Sequence, residues 1–137
     1  MSEMMAGPAP LMKKLRLEPE KQALLLNPPE SFGEALGADV SKINFLADFE
    51  ENLEFVLVFA HKQRQITSVI PDIHKSLIED GLLWLAYPKK SSKVESDLSR
   101  DVIWDMLKDY GYRPVTQISI DDIWSALRFR QAHLVGK

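Results

Sequence analysis

Apolar residues in this chain fall into short unbroken runs, separated by stretches in which they recur every three or four positions. The clearest run is Leu82 to Tyr87, preceded by Gly81 and ended by Pro88, which has no amide to give a sheet ladder. A run this short and without alternation predicts a strand buried on both faces. Two further runs predict strands at Gln22 to Asn27, cut off by Pro28-Pro29, and at Glu54 to Ala60. Helical periodicity fills the gaps between them. Leu11, Met12 and Leu15 share one side of Leu11–Leu17, and Glu18-Pro19 breaks that segment, since the residue before proline avoids the helical region. Phe32, Ala35 and Leu36 face inward in Glu30–Leu36, with Gly37 as the stop. Between Lys62 and Asp80, Ile66, Val69, Ile70, Ile73, Leu77 and Ile78 make one helix face. Pro71 interrupts it and predicts a kink or two abutting helices, ended by Gly81.

A last helix is expected from Asp97 to Tyr110, burying Leu98, Val102, Ile103, Met106 and Leu107 and stopped by Gly111. Pro114 to Ile120 alternates as a strand, Asp121-Asp122 turns the chain, and Trp124 to Arg130 reads as a final edge strand antiparallel to its neighbour. Arg128 and Arg130 would then be edge charges that discourage further pairing. Between residues 38 and 52 the pattern gives only a short strand near Ile43, Phe45 and Leu46 and an acidic loop from Asp48 to Asn52. Trp84 and Trp104 both sit in apolar patterns and are expected in the core. Strand and helix alternate, which predicts an α/β three-layer sandwich with a mostly parallel sheet and an antiparallel last strand. One domain is expected over residues 11–132, between a flexible tail at 1–10 and a short C-terminal tail at 133–137.

Composition narrows the classes further. The 137 residues are 45% hydrophobic and 27% charged, ordinary values for a globular domain. A net charge of −3 argues against a general nucleic-acid binder, whose footprint is strongly basic. The absence of cysteine removes thiol nucleophiles and thiolate metal sites and agrees with a reducing, cytoplasmic setting. No apolar run approaches the roughly 20 residues of a membrane span, and the start of the chain lacks a signal-peptide pattern. Weak homodimerisation through a sheet edge or helix face is compatible with this pattern.

Ligands of open α/β sheets bind beyond the carboxyl ends of the strands. Those ends are expected to bring together Asn27 and Glu30, His61 and Lys62, Tyr87 with Lys89, Lys90, Ser91 and Ser92, and Asp121 with Asp122. A buried strand leading into a cationic, hydroxyl-rich loop and then a helix N-terminus suits an anion. Trp124 is the aromatic expected to face a ligand or partner. Plainer roles stand beside these: Asp121-Asp122 as a turn that caps amides, the lysines as solvated charge, and Arg100 as an ion-pair partner of Asp97, Asp101 or Asp121. His61, His74 and His133 are too scattered for a metal triad, so no metal is expected. No nucleophile–base set is readable.

Several segments resemble class I methyltransferases: LMKKLRLEPEKQALLLN at the start, then EENLEFVLVFA, IEDGLLWLAYP, PVTQISID and WSALRFR. This resemblance implies a reduced Rossmann-like sheet, lacking one or two middle strands, with an S-adenosylmethionine site at the first loop. Where that family carries glycines, however, this chain has Asn27-Pro28-Pro29-Glu30-Ser31. Two prolines remove two amide donors and add bulk. Asn27-Pro28-Pro29 is also similar to the NPP core of amino-methyltransferases, but it follows the first strand, and Glu30 stands where an aromatic belongs. The motifs YPKKSS, DLSRD and DDIWSALRFR, with LLLNPPESF, resemble a family of small uncharacterised bacterial proteins over most of residues 11–130. Together these features predict a non-catalytic Rossmann-like binding or interaction module without a cofactor. The alternative is a small enzyme or sensor holding an anionic, phosphate-bearing ligand at the carboxyl edge. The expected partner is accordingly another protein or a small anion.

Overall fold

The computed structural model describes residues 10–18, 22–36 and 45–135. Its six strands are β1 (Ala23–Leu26), β2 (Phe45–Leu46), β3 (Leu53–Phe59), β4 (Leu77–Pro88), β5 (Tyr112–Ser119) and β6 (Trp124–Gln131). They form one sheet in the order β2-β1-β3-β4-β6-β5. The first four strands run parallel, whereas β6 is antiparallel to both β4 and β5. The expected α/β class, mostly parallel sheet and antiparallel last strand are all present.

Among the described residues, five α-helices cover the faces: α1 (Pro10–Leu15), α2 (Ser31–Leu36), α3 (Gln63–Thr67), α4 (Ile70–Ser76) and α5 (Arg100–Leu107). Crossover connections between parallel strands are right-handed, and this rule assigns the helices to layers. From β1 the chain moves outward to β2; from β3 it moves the other way, to β4 and then β5. The two directions put α2 on one face and α3, α4 and α5 on the other. Phe32 accordingly packs with Leu11, Met12, Leu15, Phe55, Phe59 and Trp84, while Ile66, Ile73, Ile103 and Leu107 pack with Val56, Val58, Leu83 and Leu85 on the opposite side. Leu82 to Pro88 is buried throughout.

Trp84, fully buried, links two layers directly. Its Nε1 donates to the Leu15 carbonyl at 3.0 Å, one of the acceptors that the end of α1 would leave unsatisfied. Arg16 follows in the left-handed region (φ 59°), and Leu17 N donates to Met12 O at 3.0 Å, a Schellman-type stop with arginine where glycine is usual.

Four expectations need correction. Leu77 and Ile78 do not extend a helix: α4 stops at Ser76, and Leu77 already pairs with Leu53 in the sheet. Gly81 therefore lies inside β4, where extra residues bulge out before Leu82 pairs with Phe55. The glycine is needed for close packing, since a Cβ there would sit 2.6 Å from Leu77 Cδ1. Second, β6 is interior and not an edge. Its Arg128 is buried at 8% exposure, with Nε unpartnered; burial pulls that guanidinium below its ordinary value, and Arg16 and Arg130 add repulsion. The edge is β5, where a register shift between Pro114 and Thr116 leaves Val115 exposed. Third, α5 begins at Arg100 with Ser99 as its cap, its Oγ accepting from Val102 N at 3.2 Å. Asp97 instead caps the start of α3, accepting from Gln63 N at 2.9 Å. Fourth, Trp104 is 38% exposed, because the buried stripe of α5 runs through Ile103 and Leu107 and leaves position 104 beside it. The expectations for residues 1–9, for the side chains of Ala35 and Leu36, and for Gly37 and Ile43 fall outside the described residues and side chains.

Gly81→Ala should destabilise the protein by about 1–3 kcal/mol, the usual cost of overpacking, read as a lower urea midpoint. A second substitution tests the Asp80–Arg130 pair, in which Arg130 Nε and Nη2 each donate to the Asp80 carboxylate at 2.9 Å. The hydrogen bond from Arg130 holds the Asp80 carboxyl below its usual value. A depressed carboxyl stabilises the fold above the ordinary carboxylate range, and that contribution is lost as pH falls through the folded value. Asp80 sits at φ 56°, a conformation asparagine also tolerates, so Asp80→Asn removes the charge and little else. The variant should lose at most about 1 kcal/mol near neutral pH, the ceiling for exposed pairs. It should match the parent in acid, as read by denaturant titrations at both pH values.

Candidate functional site

Strand order reverses between β1 and β3, and in this architecture that point is where a ligand crevice opens. Here the chain's own Asn27 side chain bridges the two strand ends. Asn27 leaves β1 in the left-handed conformation (φ 57°), and its Nδ2 donates to Phe59 O at 3.3 Å across the gap. Pro28 and Pro29 bring no amide hydrogens. The amides at the exit of β3 are also taken: Ala60 N donates to Ala86 O, and His61 N and Lys62 N donate to Gln65 Oε1 at 2.8 and 3.0 Å. Below the crevice, the Phe59 ring meets Phe32 and Trp124 edge-on, with centroids 5.0 and 5.1 Å apart. Such edge-to-face pairs are the favoured aromatic geometry. Trp124 thus packs into the α1–α2 layer.

A second opening lies on the other face, where α5 begins. It is a cleft of about 590 Å³ lined by Tyr87, Lys89, Lys90, Ser91, Arg100 and Ser125, with Leu98, Ser99, Asp101 and Gln117 completing the wall. Antiparallel register builds its floor. Ser125 on β6 stands directly opposite both Tyr87 on β4 and Ser119 on β5, so the three share one face as neighbours across the strands. Lys89 Nζ donates to Ser119 Oγ at 2.7 Å, and Lys89 N donates to Ile123 O at 2.7 Å, which fixes the root of the lysine–serine loop. Ser92 tightens that loop, its Oγ donating to Lys89 O at 2.7 Å. Burial pushes the Tyr87 phenol above its ordinary value; Arg100 pulls it back and Asp101 adds to the rise.

The anticipated residues therefore divide. Tyr87, Lys89, Lys90, Ser91 and Arg100 come together in the cleft. Ser92 is spent on the loop. Arg100 forms none of the expected ion pairs among the described residues and faces the cleft instead. Asp121 takes the plain role, its Oδ1 accepting from Ile123 N and Trp124 N at 2.9 and 2.8 Å. Glu30 and Asp122 are exposed and, like Asn27 and Trp124, do not line the cleft. Ser99, Gln117 and Ser125 were not anticipated, because their proximity to Tyr87 depends on hairpin register and on where α5 begins. Among the described residues, no group of three His, Asp or Glu side chains is placed to hold a metal, and no helix is long and apolar enough to cross a membrane.

The chain matches no protein-family model and no curated protein by sequence. Solved structures do resemble it. A putative type 11 methyltransferase from Sulfolobus solfataricus superposes with a TM-score of 0.57 at 8% identity, covering 93% of each chain. A SAM-dependent methyltransferase from Aquifex aeolicus gives 0.58 at 9% identity, over 87% of this chain and 86% of that one. The glycopeptide N-methyltransferase MtfA gives 0.57 at 9% identity, over 87% of this chain and 92% of the other. At these identities the likeness is one of fold: the chain has the methyltransferase-like Rossmann architecture.

Proposed function

We propose that this protein is a non-catalytic binding module on a methyltransferase-like fold that has no working S-adenosylmethionine site. The observation that carries this reading is the crevice at the strand-order reversal. A cofactor there needs close backbone approach and free amide donors, yet the first loop offers Pro28 and Pro29, and the Asn27 side chain spans to Phe59 O. The amides of Ala60, His61 and Lys62 are already bonded within the protein. These residues do not fit S-adenosylmethionine, and no reaction step is assigned to it.

The neighbouring methyltransferases favour the fold, whereas the local chemistry favours its reuse; function follows the site and not the fold. Isothermal titration with S-adenosylmethionine and S-adenosylhomocysteine should give no saturable heat. Neither compound should raise the melting temperature, as any ligand specific to the native state must. A saturable isotherm that Asn27→Ala alters would overturn the proposal.

A further inference from the structure

The cleft at the start of α5 has the chemistry of a site with an unmet charge. Tyr87 and Ser125 are each only 7% exposed, and both line the cleft. Neither side chain has a hydrogen-bond partner among the described residues, and neither hydroxyl is sealed from solvent. The two hydroxyls, side by side at the floor of an opening, are free to bond a ligand that displaces water from them. The first two amides of α5, Arg100 N and Asp101 N, have no acceptor within the helix and belong to residues that line the same wall. The surplus is of donors, not acceptors.

Charge agrees with this count of donors. Lys89, Lys90 and Arg100 contribute three positive charges and Asp101 one negative charge, leaving a balance near that of a phosphate monoester, which carries about −1.5 to −2 at neutral pH. Arg100, free of any ion pair among the described residues, has the fork geometry that phosphate oxygens accept. Asp101, the one carboxylate, suits a hydroxyl on the body of the ligand. A volume of about 590 Å³ lies within the range of small-molecule sites and exceeds what a lone anion needs.

We propose that this cleft binds a small hydroxylated phosphate monoester of the sugar phosphate class, with its phosphate on Arg100, Lys89 and the α5 amides and on the Tyr87 and Ser125 hydroxyls. This inference stands on the cleft alone. A cofactor site found at Asn27 would leave it intact.

The test is an amide-resolved NMR titration of the full chain with ribose 5-phosphate and glucose 6-phosphate, with unphosphorylated ribose and sodium sulfate as controls. The expected result is saturable movement of the Arg100 and Asp101 amides with a sugar phosphate, and none with ribose. Arg100→Gln and Tyr87→Phe should each weaken binding about tenfold or more, the loss expected for one hydrogen bond to a charged group. Arg100 is exposed, so its replacement should leave the fold intact and serves as control should Tyr87→Phe disturb packing. Equal responses to ribose and ribose 5-phosphate, movement confined to the Asn27 region, affinity unchanged in both variants, or silence from both phosphates would each overturn the proposal.

Discussion

Everything in this molecule depends on one strand that must be buried on both faces and bonded along both sides. Leu82 to Tyr87 offers no polar side-chain group above or below except the Trp84 indole N–H and the Tyr87 hydroxyl at its end, so β4 requires a helix layer on each side and a strand at each flank. The parallel neighbour β3 and the antiparallel β6 supply the flanks. Trp84 then ties the central strand to the end of α1 through its indole N–H. That bond gives a large apolar residue a satisfied polar atom and closes a helix end that would otherwise lack a donor.

The parts of the fold set by local pattern were legible in the sequence. The buried runs around Leu24, Val56 and Trp84 became strands, and Pro71 marked two short helices in place of one long one. The parts set by competition between distant segments were not. Leu77 continues the helical spacing of Ile66, Ile70 and Ile73, but its pairing with Leu53 prevails, and the mismatch is absorbed at Asp80 and Gly81. Strand order is equally non-local. The last strand folds back between β4 and β5, which turns Arg128 from an anticipated edge charge into a buried one. The same limit applies to the candidate site. Tyr87, the lysines and Arg100 could be gathered from strand direction alone, whereas Ser125 enters through hairpin register and Ser99 through the exact start of a helix.

The crevice and the cleft differ in how their polar groups are used. At the strand-order reversal, the amides of Ala60, His61 and Lys62 are bonded internally and aromatic rings pack beneath. On the other face, the Tyr87 and Ser125 hydroxyls and the Arg100 guanidinium have no partner among the described residues, while Lys89 is held by Ser119. The buried Arg128, whose Nε has no partner among the described residues, is a further polar group outside both sites; Asp80 is an opposing charge near it.

The outermost strands also limit how copies of this protein can meet. At one side the sheet ends in the two-residue β2; at the other it ends in β5, whose Pro114 lacks a donor and whose Val115 bulges out of register. Proline and bulges on an edge disrupt the row of bonds that an incoming strand would need. Among the described residues, both outer strands therefore disfavour sheet extension. A strand arriving along β5 would meet a missing donor at Pro114 and a break in register at Val115.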